Sequence, residues 1–207
     1  MNEVRELGTV SEDVLATLDF HIGVDTSGST SKPSHRIKGK NRLDEMQEEA
    51  GRIIRAAGKY DSDGLTLTRF STGVQTIDNV TADRIESTFA EFEPAGGTNL
   101  GDCIREFTKK AVASTKNFVG FIFTDGEASN KPDVLDAVRD AARATKGRPK
   151  FGFVIVQTGN DPAAAEYLRS LDDDLKKYNI PDMIAVVTED ESEGLSFGNL
   201  VWLAQNA

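Results

Sequence analysis

Short apolar runs alternate with amphipathic stretches along most of the 207 residues. The runs that predict strands are FHIGV (20–24), LTLTRF (65–70), VQTIDNV (74–80), FVGFIF (118–123), FGFVIV (151–156) and MIAVV (183–187). Most of these runs are apolar without alternation, which is typical of strands covered on both faces, as in parallel sheets. Only residues 71–73 separate the second and third runs, so this pair predicts a hairpin and an antiparallel edge strand.

The stretches between the strands place apolar residues three or four positions apart, which predicts amphipathic helices. One such stripe comprises Leu43, Met46, Ala50, Ile53, Ile54 and Ala57. Strands that alternate with helices predict an α/β fold: a Rossmann-like, doubly wound, mostly parallel six-stranded sheet with one antiparallel edge strand and helices on both faces. We expect residues 1–17 to form an N-terminal extension and residues 18–207 to form a single domain.

Composition narrows the classes of protein to consider. The formal net charge of −10 disfavours general nucleic-acid binding, which needs a basic surface. The single cysteine, Cys103, provides neither an internal disulfide nor a zinc-ligand set. No run approaches the roughly 20 apolar residues of a membrane span. The first residues lack the pattern of a signal peptide, so a cytoplasmic location is expected.

Oxygen-bearing side chains cluster where the predicted strands end. Asp25, Ser27 and Ser29 follow the first strand at alternate positions, which project to one side of an extended segment. Thr98 follows a pair of glycines just before a predicted helix, and Asp125 follows the fourth strand. Ligands of doubly wound sheets bind at the carboxyl ends of the strands. The five side chains could therefore meet and offer the hard oxygen ligands that Mg²⁺ requires.

The segments DTSGS, GGTN and FTDG, in this order and on these elements, resemble a von Willebrand factor A domain. The resemblance covers roughly residues 18–205 and implies a metal-ion-dependent adhesion site. It implies that Asp25, Ser27 and Ser29 bind the metal directly, with Thr98 and Asp125 acting directly or through water. It also implies protein binding: an exposed Asp or Glu of a partner protein would complete the coordination. Mg²⁺ is the expected ion, with Mn²⁺ and Ca²⁺ as alternatives.

A weaker resemblance concerns the segment GNDPAAAEYLRSLDDDL (159–175). It is similar to intracellular von Willebrand factor A proteins, some of which are encoded together with tellurium-resistance and stress-response proteins. This resemblance would fit a cytoplasmic location.

A basic loop follows the DTSGS segment, although the chain as a whole is acidic. Its cationic residues are Lys32, Arg36, Lys38, Lys40 and Arg42. One interpretation is a solvated surface loop. The other is an electropositive rim beside the metal, whose residues would contact an acidic partner and raise its association rate.

Two other functions remain open at this stage. The chain could be a metal-independent structural component of a phage, secretion or stress-response complex. It could also be a metal-assisted hydrolase, although we expect no enzyme activity. His21 lies in a predicted strand and is expected to be a packed structural residue, His35 lies in the basic loop, and Ser27 lacks the GxSxG context of a nucleophile. The sequence does not decide the oligomeric state.

Overall fold

A six-stranded sheet forms the centre of the molecule. The computed structural model describes residues 7–61, 64–146 and 151–207, except for the side chains at positions 172–174 and 176. The strands are β1 (Leu18–Asp25), β2 (Leu65–Phe70), β3 (Val74–Val80), β4 (Asn117–Thr124), β5 (Phe151–Gln157) and β6 (Ile184–Thr188). Their order is β3-β2-β1-β4-β5-β6, and all neighbours are parallel except the β2–β3 hairpin. This arrangement confirms the predicted fold class.

Helices connect the strands and cover both faces of the sheet. They are α1 (Glu12–Leu15), α2 (Arg42–Ala57), α3 (Ile85–Phe89), α4 (Leu100–Ala113), α5 (Lys131–Ala144), α6 (Pro162–Lys177), α7 (Glu189–Glu193) and α8 (Phe197–Gln205). Polar side chains cap several of them. The side chain of Asn41 accepts a hydrogen bond of 2.8 Å from the backbone N–H of Asp44 and so begins α2.

Two hydrophobic layers hold the helices against the sheet. On one face, Met46 and Ile53 of α2 and Leu200 of α8 are fully buried against the strands. On the other face, the buried side chains include Cys103 and Phe107. The central strands β1, β4 and β5 are covered from both sides, which explains their continuous apolar runs, whereas the edge strand β3 is at least partly exposed along most of its length.

The described part of the N-terminal segment packs against the last helix. Leu15 is buried in the core, and the backbone N–H of Val10 donates to the carbonyl of Gly198 at 3.1 Å. The amide of Asn199 donates to the carbonyl of Gly8 at 2.8 Å. Residues 1–6 of the expected extension lie outside the described residues, and the division at residue 17 stays a prediction. None of the described helices has the length and apolar character needed to cross a bilayer.

The strand order reverses beside β1. The chain runs from β1 outward to β2 and β3, and then returns to form β4 on the other side of β1. The connections that follow β1 and β4 therefore leave the sheet in opposite directions and open a crevice between the two carboxyl ends. Asp25 is the last residue of β1, and Asp125 directly follows β4.

Candidate metal centre

The loop after β1 folds back on the carboxylate of Asp25. Oδ1 of Asp25 accepts a hydrogen bond of 2.8 Å from the backbone N–H of Ser27. The hydroxyl of Thr30 donates to the carbonyl of Ser27 at 2.8 Å, which closes a short 3₁₀ turn over Gly28–Ser31. These local bonds fix the direction of the Ser27 and Ser29 hydroxyls, because the turn leaves little backbone freedom between them.

A chain of polar contacts joins the β1 loop to the β4 loop. The hydroxyl oxygens of Ser27 and Ser29 lie 3.0 Å apart, and the Ser29 hydroxyl donates to Oδ1 of Asp125 at 2.8 Å. Asp25, Ser27 and Asp125 are nearly fully buried, whereas Ser29 is partly exposed. The structure thus brings four of the five predicted metal ligands into one hydrogen-bonded row.

Thr98 reaches the same end of the sheet on a separate loop. Its backbone N–H donates to the hydroxyl of Ser129 at 2.9 Å, and its carbonyl accepts from the backbone N–H of Ser129 at 3.0 Å. The carbonyl of Gly96 accepts from the backbone N–H of Gly28 at 3.0 Å, which ties this loop to the β1 loop. Gly96 has a φ of +75°, and a Cβ there would overlap Thr72, so this position requires glycine. Within the described part of the chain, the Thr98 hydroxyl makes no hydrogen bond.

Burial shifts the ionisation of Asp25. Desolvation raises the pKa of this carboxyl to about 6, and the nearby negative charge of Asp125 acts in the same direction. Hydrogen bonds from Thr124 and Ser27 oppose the shift, and the Thr124 hydroxyl donates to Oδ2 of Asp25 at 2.6 Å. Two buried carboxylates in one crevice repel each other, which favours binding of a cation.

The donor set suits a hard divalent ion. Two carboxylates and the hydroxyls of Ser27, Ser29 and Thr98 offer only oxygen atoms, which Mg²⁺, Mn²⁺ and Ca²⁺ accept. The residues present therefore fit the metal implied by the resemblance. Among the described residues, no group of three or more His, Cys, Asp or Glu side chains is arranged to hold a metal. The candidate site contains only two such side chains, Asp25 and Asp125, and its other donors are hydroxyls, so it agrees with that finding.

Arg42 lies closer to the candidate ligands than a rim residue would. Its Nη1 donates to Oδ2 of Asp125 at 2.8 Å, and its side chain is only 13% exposed. Asp125 is thereby held by Ser29 through one oxygen and by Arg42 through the other. The sequence did not predict this contact, because Arg42 was grouped with the exposed cations of the basic loop.

The other residues of the basic loop divide into two groups. Lys32, Lys38 and Lys40 are exposed, and Lys40 lies 3.8 Å from Asp44. Arg36 is instead paired with acidic residues of α7, with Glu189 at 3.0 Å and with Asp190 at 3.3 Å. Contact with a partner stays a prediction for all the basic residues, but the charge of Arg36 is already compensated within the chain by the exposed carboxylates of Asp190 and Glu193.

A second group of buried carboxyls lies where α7 meets α2. Glu45 and Glu189 are only 1% and 4% exposed. Neither carboxylate oxygen of Glu45 has a hydrogen-bond partner among the described residues. Burial raises the pKa of Glu189 to about 9, and the neighbouring Glu45 adds to the rise. This cluster was missed by sequence reasoning, since the segment EDESE of α7 is polar throughout and carries no periodic signal.

Comparison with known proteins bears on the fold. No family model matches the chain, and no curated protein matches it. Among solved structures, a von Willebrand factor type A protein from Catenulispora acidiphila is similar at a TM-score of 0.59 and 17% identity, over 86% of this chain and 41% of that one. Manganese-loaded TRAP from Plasmodium vivax is similar at a TM-score of 0.61 and 14% identity, over 87% of this chain and 72% of that one.

The PilB minor pilin of Streptococcus sanguinis is also similar, at a TM-score of 0.61 and 14% identity, over 86% of this chain and 58% of the pilin. This chain thus spans little more than half the length of the pilin, and less than half the length of the Catenulispora protein. At sequence identities this low, structural similarity shows a shared fold and nothing further. Together with the strand order and the position of the DTSGS loop, these similarities show that the chain has the fold of a von Willebrand factor A domain.

Proposed function

We propose that this chain is a protein-binding module that depends on a divalent metal ion, with Mg²⁺ as the expected ion and Mn²⁺ or Ca²⁺ as alternatives. The proposal rests on one observation above all. Asp25, Ser27, Ser29 and Asp125 are joined in a single row of hydrogen bonds at the point where the strand order reverses; the backbone N–H of Ser27 bonds to Asp25, and side chains make the other contacts. An acidic side chain of a partner protein would complete the coordination of the ion.

Each of the five candidate ligands has a defined task in this proposal. Asp25, Ser27 and Ser29 would hold the ion directly, while Thr98 and Asp125 would bind it directly or through water. The bound ion would supply a positive centre that a partner carboxylate can ligate. The chain's own residues orient that centre: Thr124 fixes the Asp25 carboxylate, and the turn over Gly28–Ser31 fixes the two hydroxyls.

Exposed cations beside the crevice would assist an acidic partner. Lys32 and Lys38 are exposed on the loop that follows the metal-binding turn. Their field would attract a negatively charged surface and raise its association rate more than its final affinity. The overall charge of −10 would at the same time discourage a generally acidic protein, so a local acidic patch is the expected target.

The positions of the histidines support binding rather than catalysis. His21 is fully buried, its Nε2 lies 2.7 Å from the Thr68 hydroxyl, and its ring stacks on Phe107 at 4.0 Å, which confirms that it is a packed core residue. His35 lies 3.6 Å from a carboxylate oxygen of Glu45. Neither ring contacts Ser27 among the described residues, so no histidine is placed to act as a general base on this hydroxyl.

Thermal unfolding with and without metal tests the proposal. The protein would be measured in EDTA and then with Mg²⁺, Mn²⁺ or Ca²⁺, as the wild type and as Asp25→Ala. An ion that binds only the folded state raises the free energy of unfolding by about 2.7 kcal/mol at a hundredfold excess over its dissociation constant. We expect this rise in the wild type and its loss in Asp25→Ala, with Asp136→Asn as a control in which an exposed carboxylate is removed.

A peptide experiment tests the partner chemistry. Immobilised peptides that contain Glu would be compared with matched peptides that contain Gln, in Mg²⁺ and in EDTA. Retention that requires both Glu and metal supports the proposal. If Asp25→Ala neither removes the metal-dependent stabilisation nor affects retention, the mechanism is wrong. Oligomers that persist in EDTA would instead favour the metal-independent assembly component.

A further inference from the structure

Arg42 is fixed at the edge of the candidate metal centre by the start of α2. It is the first residue of that helix, and its backbone N–H donates to the carbonyl of Lys32 at 2.9 Å. Asn41 and Asp44 form a capping box around the same turn. The backbone that carries Arg42 is therefore rigid, and only the side chain could change its position.

The loop after β5 supports the guanidinium. A Cβ built on Gly159 would lie 3.2 Å from Nε and 3.3 Å from Cζ of Arg42, so the side chain lies against this backbone. Gly159 has a φ of +84°, a conformation that favours glycine. The side chain of Arg42 is thus held between Gly159 and Asp125, and it is only 13% exposed. A long side chain held in this way delivers its charge to one place.

The formal charges of the site show what this placement does. Asp25 and Asp125 contribute two negative charges, and the guanidinium of Arg42 cancels one of them. A divalent ion added to this set would leave one surplus positive charge, whereas the same site without Arg42 would be neutral. Since Asp125 has little contact with solvent, these charges interact through a medium of low dielectric constant and are weakly screened.

We propose that Arg42 couples metal binding to binding of the partner's carboxylate. This inference rests on the proposed function and concerns the regulation of the same site. Arg42 repels the ion and weakens its binding when no other anion is present. The surplus charge that results is neutralised when a partner carboxylate arrives, so the ion and the carboxylate strengthen each other's binding by the same factor. The ion would then be held firmly only in the complex.

Titration of Mn²⁺, followed by the electron paramagnetic resonance signal of the free ion, tests this coupling. The wild type and Arg42→Gln would be titrated in chloride and in acetate at constant ionic strength, with acetate as the carboxylate probe. We expect Arg42→Gln to bind Mn²⁺ about tenfold more tightly in chloride, because a nearby unit charge of equal sign is removed. Acetate should increase the Mn²⁺ affinity of the wild type, and it should increase the affinity of Arg42→Gln much less.

Two further variants separate charge from structure. Arg42→Lys keeps the charge and should retain weak Mn²⁺ binding that acetate enhances. Arg55→Gln removes an exposed cation farther along the same helix and should match the wild type. Thermal unfolding of each variant verifies that it is folded.

Two results would overturn the inference in distinguishable ways. If Arg42→Gln changes the Mn²⁺ dissociation constant by less than about twofold while Asp25→Ala abolishes binding, the metal site exists and Arg42 only stabilises the fold. If neither the wild type nor Asp25→Ala binds Mn²⁺ in either salt, the proposed function is wrong, and the inferred coupling is therefore wrong as well.

Discussion

The hydroxyl of Thr124 donates a hydrogen bond of 2.6 Å to Oδ2 of Asp25 across the junction between β1 and β4. Both residues are completely buried, and Thr124 is the last residue of β4. Asp125, the next residue, belongs to the same candidate site. The end of β4 therefore contributes two side chains to the centre: one that orients Asp25, and one that is itself a candidate ligand.

The bond from Thr124 predicts a selective effect of Thr124→Val. This change keeps the shape of the side chain but removes the donor, so the buried carboxylate loses one of its partners. We expect a loss of about 1–3 kcal/mol in the free energy of unfolding. Weaker Mn²⁺ binding should accompany it, because Asp25 is no longer held in one orientation. Thr124→Ser keeps the hydroxyl and should retain most of both quantities; equal behaviour of the Val and Ser variants would contradict the role of the bond.

The buried carboxyl of Glu189 predicts how stability depends on pH. Its pKa is raised to about 9 in the folded protein, chiefly by burial and then by Glu45, against an ordinary value of 4.5. Arg36 acts in the opposite direction but does not outweigh these causes. Between these two values the folded state keeps a proton that the unfolded state has released. The stability that this proton provides is complete below about pH 4.5 and is lost as the pH rises toward about 9.

Glu189→Gln tests this dependence, because glutamine is neutral at every pH. We expect chemical denaturation between pH 6 and pH 9 to show a smaller decline of the unfolding free energy in this variant than in the wild type. The same difference can be followed by thermal unfolding, in which a change of 1 kcal/mol in the unfolding free energy shifts the midpoint by about 2–4 °C for a chain of this size. Glu86→Gln, which neutralises an exposed carboxylate on α3, should decline as the wild type does. Parallel curves for all three proteins would refute the assignment.

The close approach of α8 to β5 predicts that Gly152 cannot be replaced. A Cβ at this position would overlap the carbonyl oxygen of Ala204, which is backbone and cannot rotate away. We expect Gly152→Ala to lower the free energy of unfolding by about 3 kcal/mol or more. This value is at the upper end of the usual cost of overpacking, because the contacting atom is rigid backbone. Gly73→Ala, where a Cβ meets nothing within 4 Å, serves as the matched control. Similar denaturation midpoints for the two variants would show that α8 can move away from the sheet.

The sequence predicted those features that depend on neighbouring residues. The strands followed from continuous apolar runs, and the proximity of Asp25, Ser27 and Ser29 followed from alternate positions after a strand. Contacts that depend on distant parts of the chain were not predictable in this way. The position of Arg42 depends on Gly159, which is more than a hundred residues away in the sequence. The burial of Glu45 depends on the short polar helix α7, whose composition resembles that of an exposed loop.

The contact between Ser129 and Thr98 leads to a prediction about metal binding that is separate from stability. The Ser129 hydroxyl accepts from the backbone N–H of Thr98 at 2.9 Å and so positions the loop that carries a candidate ligand. Since Ser129 is exposed, Ser129→Ala should change the free energy of unfolding by only about 0.5 kcal/mol.

In Mn²⁺ titrations we nevertheless expect Ser129→Ala to bind the ion severalfold more weakly, because the Thr98 hydroxyl would lose its fixed position. Ser170→Ala removes an outlying hydroxyl that donates to the carbonyl of Tyr167, and it should bind Mn²⁺ as the wild type does. Unchanged affinity in Ser129→Ala together with weakened affinity in Thr98→Ala would mean that Thr98 is held by the rest of its loop. Unchanged affinity in both variants would remove Thr98 from the ligand set and leave a site formed by the β1 and β4 loops alone.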